Sequence, residues 1–190
     1  RAPEELAGPA TWRPDADLLA QARDFGILVR FQRQGPDITG LQELLTYGLK
    51  GLAAYAHHAQ VLGQEDPAVY AFVHEALEFL STHPAELDPL LKMVLRAGEV
   101  NLRVMELLDA ANTGTYGHPT PTRVRRVPRP GKCILVSGHD LRDLELILEQ
   151  TAGRGVDVYT HGEMLPAHGY PGLNRHPHLA GHWGGAWQKQ

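Results

Sequence analysis

Cysteine is almost absent from this sequence: Cys133 is the single one in 190 residues. One thiol excludes an internal disulfide, and it cannot by itself complete a thiolate-rich metal site. Long apolar runs are missing as well. No stretch approaches the roughly 18–20 residues that a bilayer-spanning helix needs, and the N-terminus has no basic segment followed by an apolar one. A cytoplasmic protein without a membrane partner is the expectation. Nor is there an excess of positive charge: the formal net charge is −4 and the pI is near 6.3, which speaks against a nucleic-acid partner. The one basic run, Arg123, Arg125, Arg126, Arg129 and Lys132, is interleaved with prolines and reads as a solvated linker.

Histidine, by contrast, is plentiful. Seven of the 11, His118, His139, His161, His168, His176, His178 and His182, lie beyond position 117. Such a bias allows metal or proton chemistry in the last third of the chain. With 43% hydrophobic and 21% charged residues the composition is that of a globular protein able to bury a core.

The chain divides by pattern into four stretches. Residues 1–34 show no sustained period and read as irregular, apart from a weak helix around 15–24. Residues 35–113 are helical. Leu41, Leu44, Leu45, Leu49 and Leu52 recur at the spacing of one helix face, with Thr39 and Gln42 as a capping box and Gly63 as the stop. Asp66 and Pro67 open a second helix carrying Val69, Phe72 and Ala76. A third begins near Pro84, is ended or kinked by Gly98, and resumes to about Asn112. His57, His58 and His74 on these helices read as surface residues without a convergent partner. Short connections between amphipathic helices predict a bundle.

Residues 114–132 hold four prolines and read as a linker. From residue 133 the pattern alternates. "KCILVSG" predicts a buried strand enclosing Cys133 as an inert core thiol. "DLRDLELILEQTAG" predicts a helix capped by Asp140 and stopped by Gly153, and "VDVYTHG" a second strand. Strand, helix, strand makes a parallel βαβ unit. "HLAGHWGG" offers a third strand. The fold class expected is therefore α plus α/β: an N-terminal helical bundle followed by the first half of a Rossmann-like parallel α/β domain at 133–190.

In parallel sheets of this kind, sites gather outside the carboxyl ends of the strands. The first predicted strand runs into "SGHD" and the second into "HGEM", so His139 and Glu163 share one crevice. Neighbouring strands lie about 4.8 Å apart, close enough for both side chains to reach one ion. Gly138 and Gly162 precede them and suit close backbone approach. An imidazole with a carboxylate suits iron or zinc, but two ligands do not close a site, and ordinary strand-to-helix turns remain the other reading of the same residues. His161 and His168 are weaker candidates, as donors behind the ligands or as a third ligand of a mononuclear hydrolytic site. "SGHDL" lacks both the nucleophile elbow of a serine hydrolase and the spaced glycines of a dinucleotide fingerprint.

These segments resemble a known family. "GKCILVSGHDLRDLELILEQT", "VDVYTHGEMLPAHGYPGL" and "HWGGAWQKQ", with "LQELLTYGLKGLAAYAHHA" and "NLRVMELLDAANTGTYGHPTPT" upstream, look like the hybrid-cluster proteins, also called prismane proteins or hydroxylamine reductases. The resemblance runs from about Gly35 to the end and does not extend to residues 1–34. It implies a hybrid iron-sulfur-oxygen cluster, held by one histidine, two glutamates and several cysteines, with His139 and Glu163 among the iron ligands. It implies two-electron reduction of hydroxylamine, with a possible nitric oxide related role, and an unidentified electron donor. It also implies a second iron-sulfur cluster in the parent, whose cysteines have no counterpart here. The 190-residue chain, with two ligands of a larger set, is expected to be inactive alone. The competing expectations are a non-catalytic interaction or assembly fragment, and a related carbon monoxide dehydrogenase-like metalloenzyme.

Overall fold

The computed structural model describes residues 11–185 and 188. Two short helices open it, α1 (Leu18–Phe25) and α2 (Ile27–Gln34). Asp17 caps α1 by accepting from the backbone N–H groups of Leu19 and Ala20. Irregular chain was expected over most of this stretch. The correction has a local cause, because Gly26 and Gly35 bracket an eight-residue segment whose own pattern is helical. Residues 1–10 of that expectation lie outside the described residues.

Helix α3 (Pro36–Val61) starts one turn before the predicted Thr39. Gly35 takes φ +83, turning the chain out of α2, and Pro36 occupies the first helical turn, where its missing N–H costs nothing. Thr39 and Gln42 are therefore buried inside the helix and form no capping box. Gln34 Nε2 donates to Thr39 Oγ1 at 3.1 Å and to Gln42 Oε1 at 2.7 Å, and Gln42 Nε2 donates to the Pro84 carbonyl at 2.8 Å. The pair ties three segments together instead.

Helix α4 (Pro67–Ser81) is capped by Asp66 as its sequence predicts. Helix α5 (Leu87–Tyr116) runs unbroken through Gly98 and beyond Asn112. The break expected at Gly98 is absent because the buried stripe of Leu90, Ala97, Val104, Leu107 and Ala111 continues across it, and packing outweighs the roughly 1 kcal/mol helix penalty of one glycine. Leu45, Leu49 and Leu52 of α3 meet Phe72 and Ala76 of α4 and Ala97, Val104, Leu107 and Ala111 of α5 in one core.

After Gly117, at φ +84, the chain crosses to a three-stranded parallel sheet in the order β1 (Lys132–Ser137), β2 (Val156–His161), β3 (Leu179–Trp183). The helical bundle and partial parallel α/β unit expected from the sequence are both present. Helix α6 (Leu141–Thr151) joins β1 to β2, and a 3₁₀ segment (Gly162–Gly169) with the short α7 (Pro171–Asn174) joins β2 to β3. Leu144, Leu148, Val158 and Leu173 form a second, fully buried core. The C-terminal turn of α5 enters it through Tyr116, and the fit against α7 is tight: a Cβ on Gly172 would lie 2.9 Å from the Tyr116 Cα.

Two further expectations are corrected. The first strand is an edge, and only Val136 in it is buried, so Cys133 is exposed rather than a core thiol. An apolar run signals a strand covered on both faces, but among the described residues β1 pairs on one side only. The basic run is exposed in its side chains as expected, yet its backbone is bound: Arg129 N–H donates to the Tyr159 hydroxyl at 2.7 Å, and Arg125 C=O accepts from His182 N–H at 2.9 Å. The segment is thus laid against the sheet. Among the described residues, no helix is long and apolar enough to cross a membrane.

Candidate metal centre

Both predicted site residues stand just past the ends of adjacent strands. Parallel register pairs Ser137 of β1 with His161 of β2, so the residues two further along on each strand emerge side by side. Ser137 Oγ lies 3.0 Å from His161 Nδ1, which ties the two strand ends together. Beyond them Gly138 adopts φ +127 and Gly162 φ +55, conformations that L side chains rarely take. These two glycines turn the chain so that His139 Nε2 and Glu163 Oε2 meet in a hydrogen-bonded contact.

The helix after His139 fixes its base. Asp140 accepts from the N–H groups of Arg142 at 2.8 Å and Asp143 at 3.2 Å, capping α6. Its other oxygen lies 3.9 Å from His58 Nε2 on α3. His58 was read from the sequence as a surface residue without a partner; the fold brings it against this cap. No local pattern could have linked two residues so far apart in the chain.

The imidazole of His139 and the carboxylate of Glu163 are each about half exposed, at 48% and 51%. Neither is buried in a packed core; the two meet each other at the edge of the sheet. An imidazole nitrogen and a carboxylate oxygen are each suitable donors for iron or zinc once the proton they share is given up. Among the described residues, no set of three or more His, Cys, Asp or Glu side chains is grouped to hold a metal ion. The pair fits part of a ligand set.

Glu163 also separates two hollows. One, of about 210 Å³, is formed by Ser137, Gly138, His139, Gly162 and Glu163. The other, about 970 Å³, lies across the carboxyl edge and is lined by Thr122, Arg126, Glu163, Leu165 and His182 among others.

The model of the Prismane/CO dehydrogenase family matches residues 2–190. The chain belongs to this family. The match includes residues 2–34, so the sequence-based expectation that the N-terminal stretch lies outside the resemblance is corrected. The chain is similar to proteins named hydroxylamine reductase from Rhodospirillum rubrum (59% identical over 191 residues), Burkholderia ambifaria (58% over 188) and Syntrophobacter fumaroxidans (61% over 173). These alignments cover 99%, 97% and 91% of this chain, but 35%, 34% and 32% of the relatives. The chain thus spans about a third of the length of the curated relatives it matches.

In this prismane-family chain the remaining candidates part company. His161 is held by Ser137 at the strand ends. His168 is carried away from the His139–Glu163 contact into a buried cluster, where its Nε2 lies 2.8 Å from Thr160 Oγ1. The same hydroxyl lies 2.9 Å from Nδ1 of His182, a residue that sequence reasoning counted but did not single out. Its signal was available: Thr160 and His182 are strand residues one position before His161 and Trp183, and parallel pairing places them opposite each other. Burial lowers the proton affinity of both histidines. His182 acts further on His168, and His161 and Arg126 act further on His182.

Proposed function

We propose that this chain is part of an iron-sulfur hydroxylamine reductase, and that His139 and Glu163 are two of its iron ligands. The observation that carries the reading is the meeting of His139 Nε2 with Glu163 Oε2 at adjacent, glycine-turned strand ends. The names of the relatives support the reaction and favour this branch over a carbon monoxide dehydrogenase.

The reaction is NH₂OH + 2 e⁻ + 2 H⁺ → NH₃ + H₂O. A bound hybrid iron-sulfur-oxygen cluster supplies the electrons and a Lewis-acidic iron. The protein residues supply the frame. Gly138 and Gly162 bring the two donors together, Asp140 pins the turn that carries His139, and Ser137 with His161 fixes the spacing of the strands. A nitrogen and an oxygen donor make the iron they bind poorer in thiolate than an ordinary iron-sulfur site, which favours exchangeable ligands there. An unidentified electron donor and a cytoplasmic location belong to the same proposal, as does a second iron-sulfur cluster elsewhere in the longer protein.

The test is hydroxylamine-dependent ammonia formation by the anaerobically purified longer protein, driven by a reduced dye. Turnover in the wild type, with loss of more than about tenfold in His139→Ala and Glu163→Ala, is expected from removal of a direct metal ligand. Full turnover in both variants would sink the assignment of the ligands, and a wild type inert toward hydroxylamine would sink the reaction.

A further inference from the structure

Four arginines of the helices sit beside a carboxylate: Arg30 with Glu43, Arg96 with Glu75, Arg103 with Asp66 and Arg142 with Glu145. The segment between the bundle and the sheet is different. Arg123, Arg125, Arg126, Arg129 and Lys132 put five positive charges and no negative one into ten residues, in a chain whose net charge is −4. All five side chains are exposed. Arg129 has Asp157 at 3.7 Å, but among the described residues Arg123, Arg125, Arg126 and Lys132 have no carboxylate partner.

These charges are carried on a fixed ridge. Thr120 N–H donates to Gly169 C=O at 2.8 Å, His182 N–H to Arg125 C=O at 2.9 Å, and Arg129 N–H to the Tyr159 hydroxyl at 2.7 Å. The ridge also has a place relative to the candidate metal centre. Val124 and Arg126 line both the 970 Å³ cleft that contains Glu163 and a second hollow of about 530 Å³, to which Arg123, Arg125 and Arg129 belong. The segment is thus the wall between the two, and its cations stand on the rim of the cleft beside Glu163. Unneutralised charges held together in this way attract and steer an oppositely charged partner. Nucleic acid is the weaker match, because the chain around the ridge is acidic rather than basic.

We propose that the Arg123–Lys132 ridge is the docking face for a small acidic electron-transfer protein, which delivers electrons beside the cleft that contains Glu163. The identity of the partner as a redox protein rests on the reductase reading above. With a one-electron donor, two reduced partners are oxidised in turn for each hydroxylamine, and the two electrons with two protons give ammonia and water. Such an encounter is brief and small, so its charges set the rate of association more than its lifetime.

The test uses the longer protein, a plant-type ferredoxin as the acidic probe, and the double variant Arg123→Gln/Arg125→Gln, whose exposed side chains leave the backbone bonds of the ridge in place. Stopped-flow mixing with reduced ferredoxin at low salt should give a second-order rate about tenfold slower in the variant, and the two rates should converge near 0.5 M salt, where screening removes the steering. Reduction by methyl viologen, which has no negative charge to be steered, should be equal in both. Equal ferredoxin rates at low salt, or a wild-type rate indifferent to salt, would overturn the proposal, the latter being the result if the rest of the longer protein covers the ridge. A DNA duplex that binds the wild type more tightly than ferredoxin does, and loses that binding in the variant, would overturn it in favour of nucleic acid. Equilibrium binding of oxidised ferredoxin keeps the two readings apart. Salt-sensitive binding that the variant loses, in a wild type that holds no iron, would uphold the docking face and bring down the reductase reading instead.

Discussion

Replacing Gly181 by alanine sets a methyl group where another piece of chain already runs. The added Cβ would lie 2.3 Å from the Arg125 carbonyl oxygen and 3.1 Å from its carbonyl carbon, both backbone atoms of the segment laid against β3. Ordinary contact needs more than 3 Å, so the segment must retreat by about 1 Å; overpacking of this kind costs about 1–3 kcal/mol. Retreat also breaks the bond from His182 N–H to Arg125 C=O, and a buried donor left unsatisfied costs about 1–3 kcal/mol more. The sum is about 2–6 kcal/mol, or a fall in Tm on the order of 10 °C for a chain of this size. Gly48→Ala is the matched control. It lies inside α3, a Cβ there meets nothing within 4 Å, and the exchange should stabilise by about 0.5–1 kcal/mol. Urea unfolding followed by circular dichroism separates the two. Equal midpoints for wild type and Gly181→Ala would refute the crossing of Arg125 over β3.

Three other outcomes are expected. Asp140→Ala removes the acceptor of two helix N–H groups and should cost about 1 kcal/mol, with Asp140→Asn recovering most of it; an unchanged urea midpoint in the alanine variant would contradict the cap. Because burial holds the proton affinity of His168 and His182 below the ordinary value of 6.5, the unfolded chain binds protons that the folded chain refuses as pH falls below that value. Stability should therefore be retained above about pH 6.5 and decline below it, with a shallower decline in His168→Gln, and a Tm that rises on acidification would reverse the sign. Finally, since His139 and Glu163 are not joined by a third metal-ligating side chain among the described residues, anaerobic reconstitution of the 190-residue chain with iron and sulfide should give no hydroxylamine turnover. Turnover would show that two ligands suffice.

What could be read from the sequence follows from which forces act locally. Asp66 with Pro67 and Asp140 at α6 were legible because a cap is a contact between near neighbours. The strand ends were legible because parallel strands joined by one helix must point the same way, which put His139 and Glu163 on one edge before any coordinate was known. Thr39 misled because a capping box and a buried polar link share the same residue types, and the Gly35–Pro36 start was the stronger signal. Gly98 misled because the packing stripe of α5 outweighs one poor helix former. Cys133 misled because an apolar run cannot say whether a strand is central or at an edge. The cluster of His168, Thr160 and His182 depends on a third strand and a crossing segment, contacts that no window of sequence contains.

The central claim is that the two strand ends hold iron. Iron content with electron paramagnetic resonance on the anaerobically purified longer protein, wild type beside His139→Ala and Glu163→Ala, tests it most directly. Loss of the cluster signal in both variants, with the fold intact by circular dichroism, is the result predicted. Unchanged iron and an unchanged signal in either variant would contradict it.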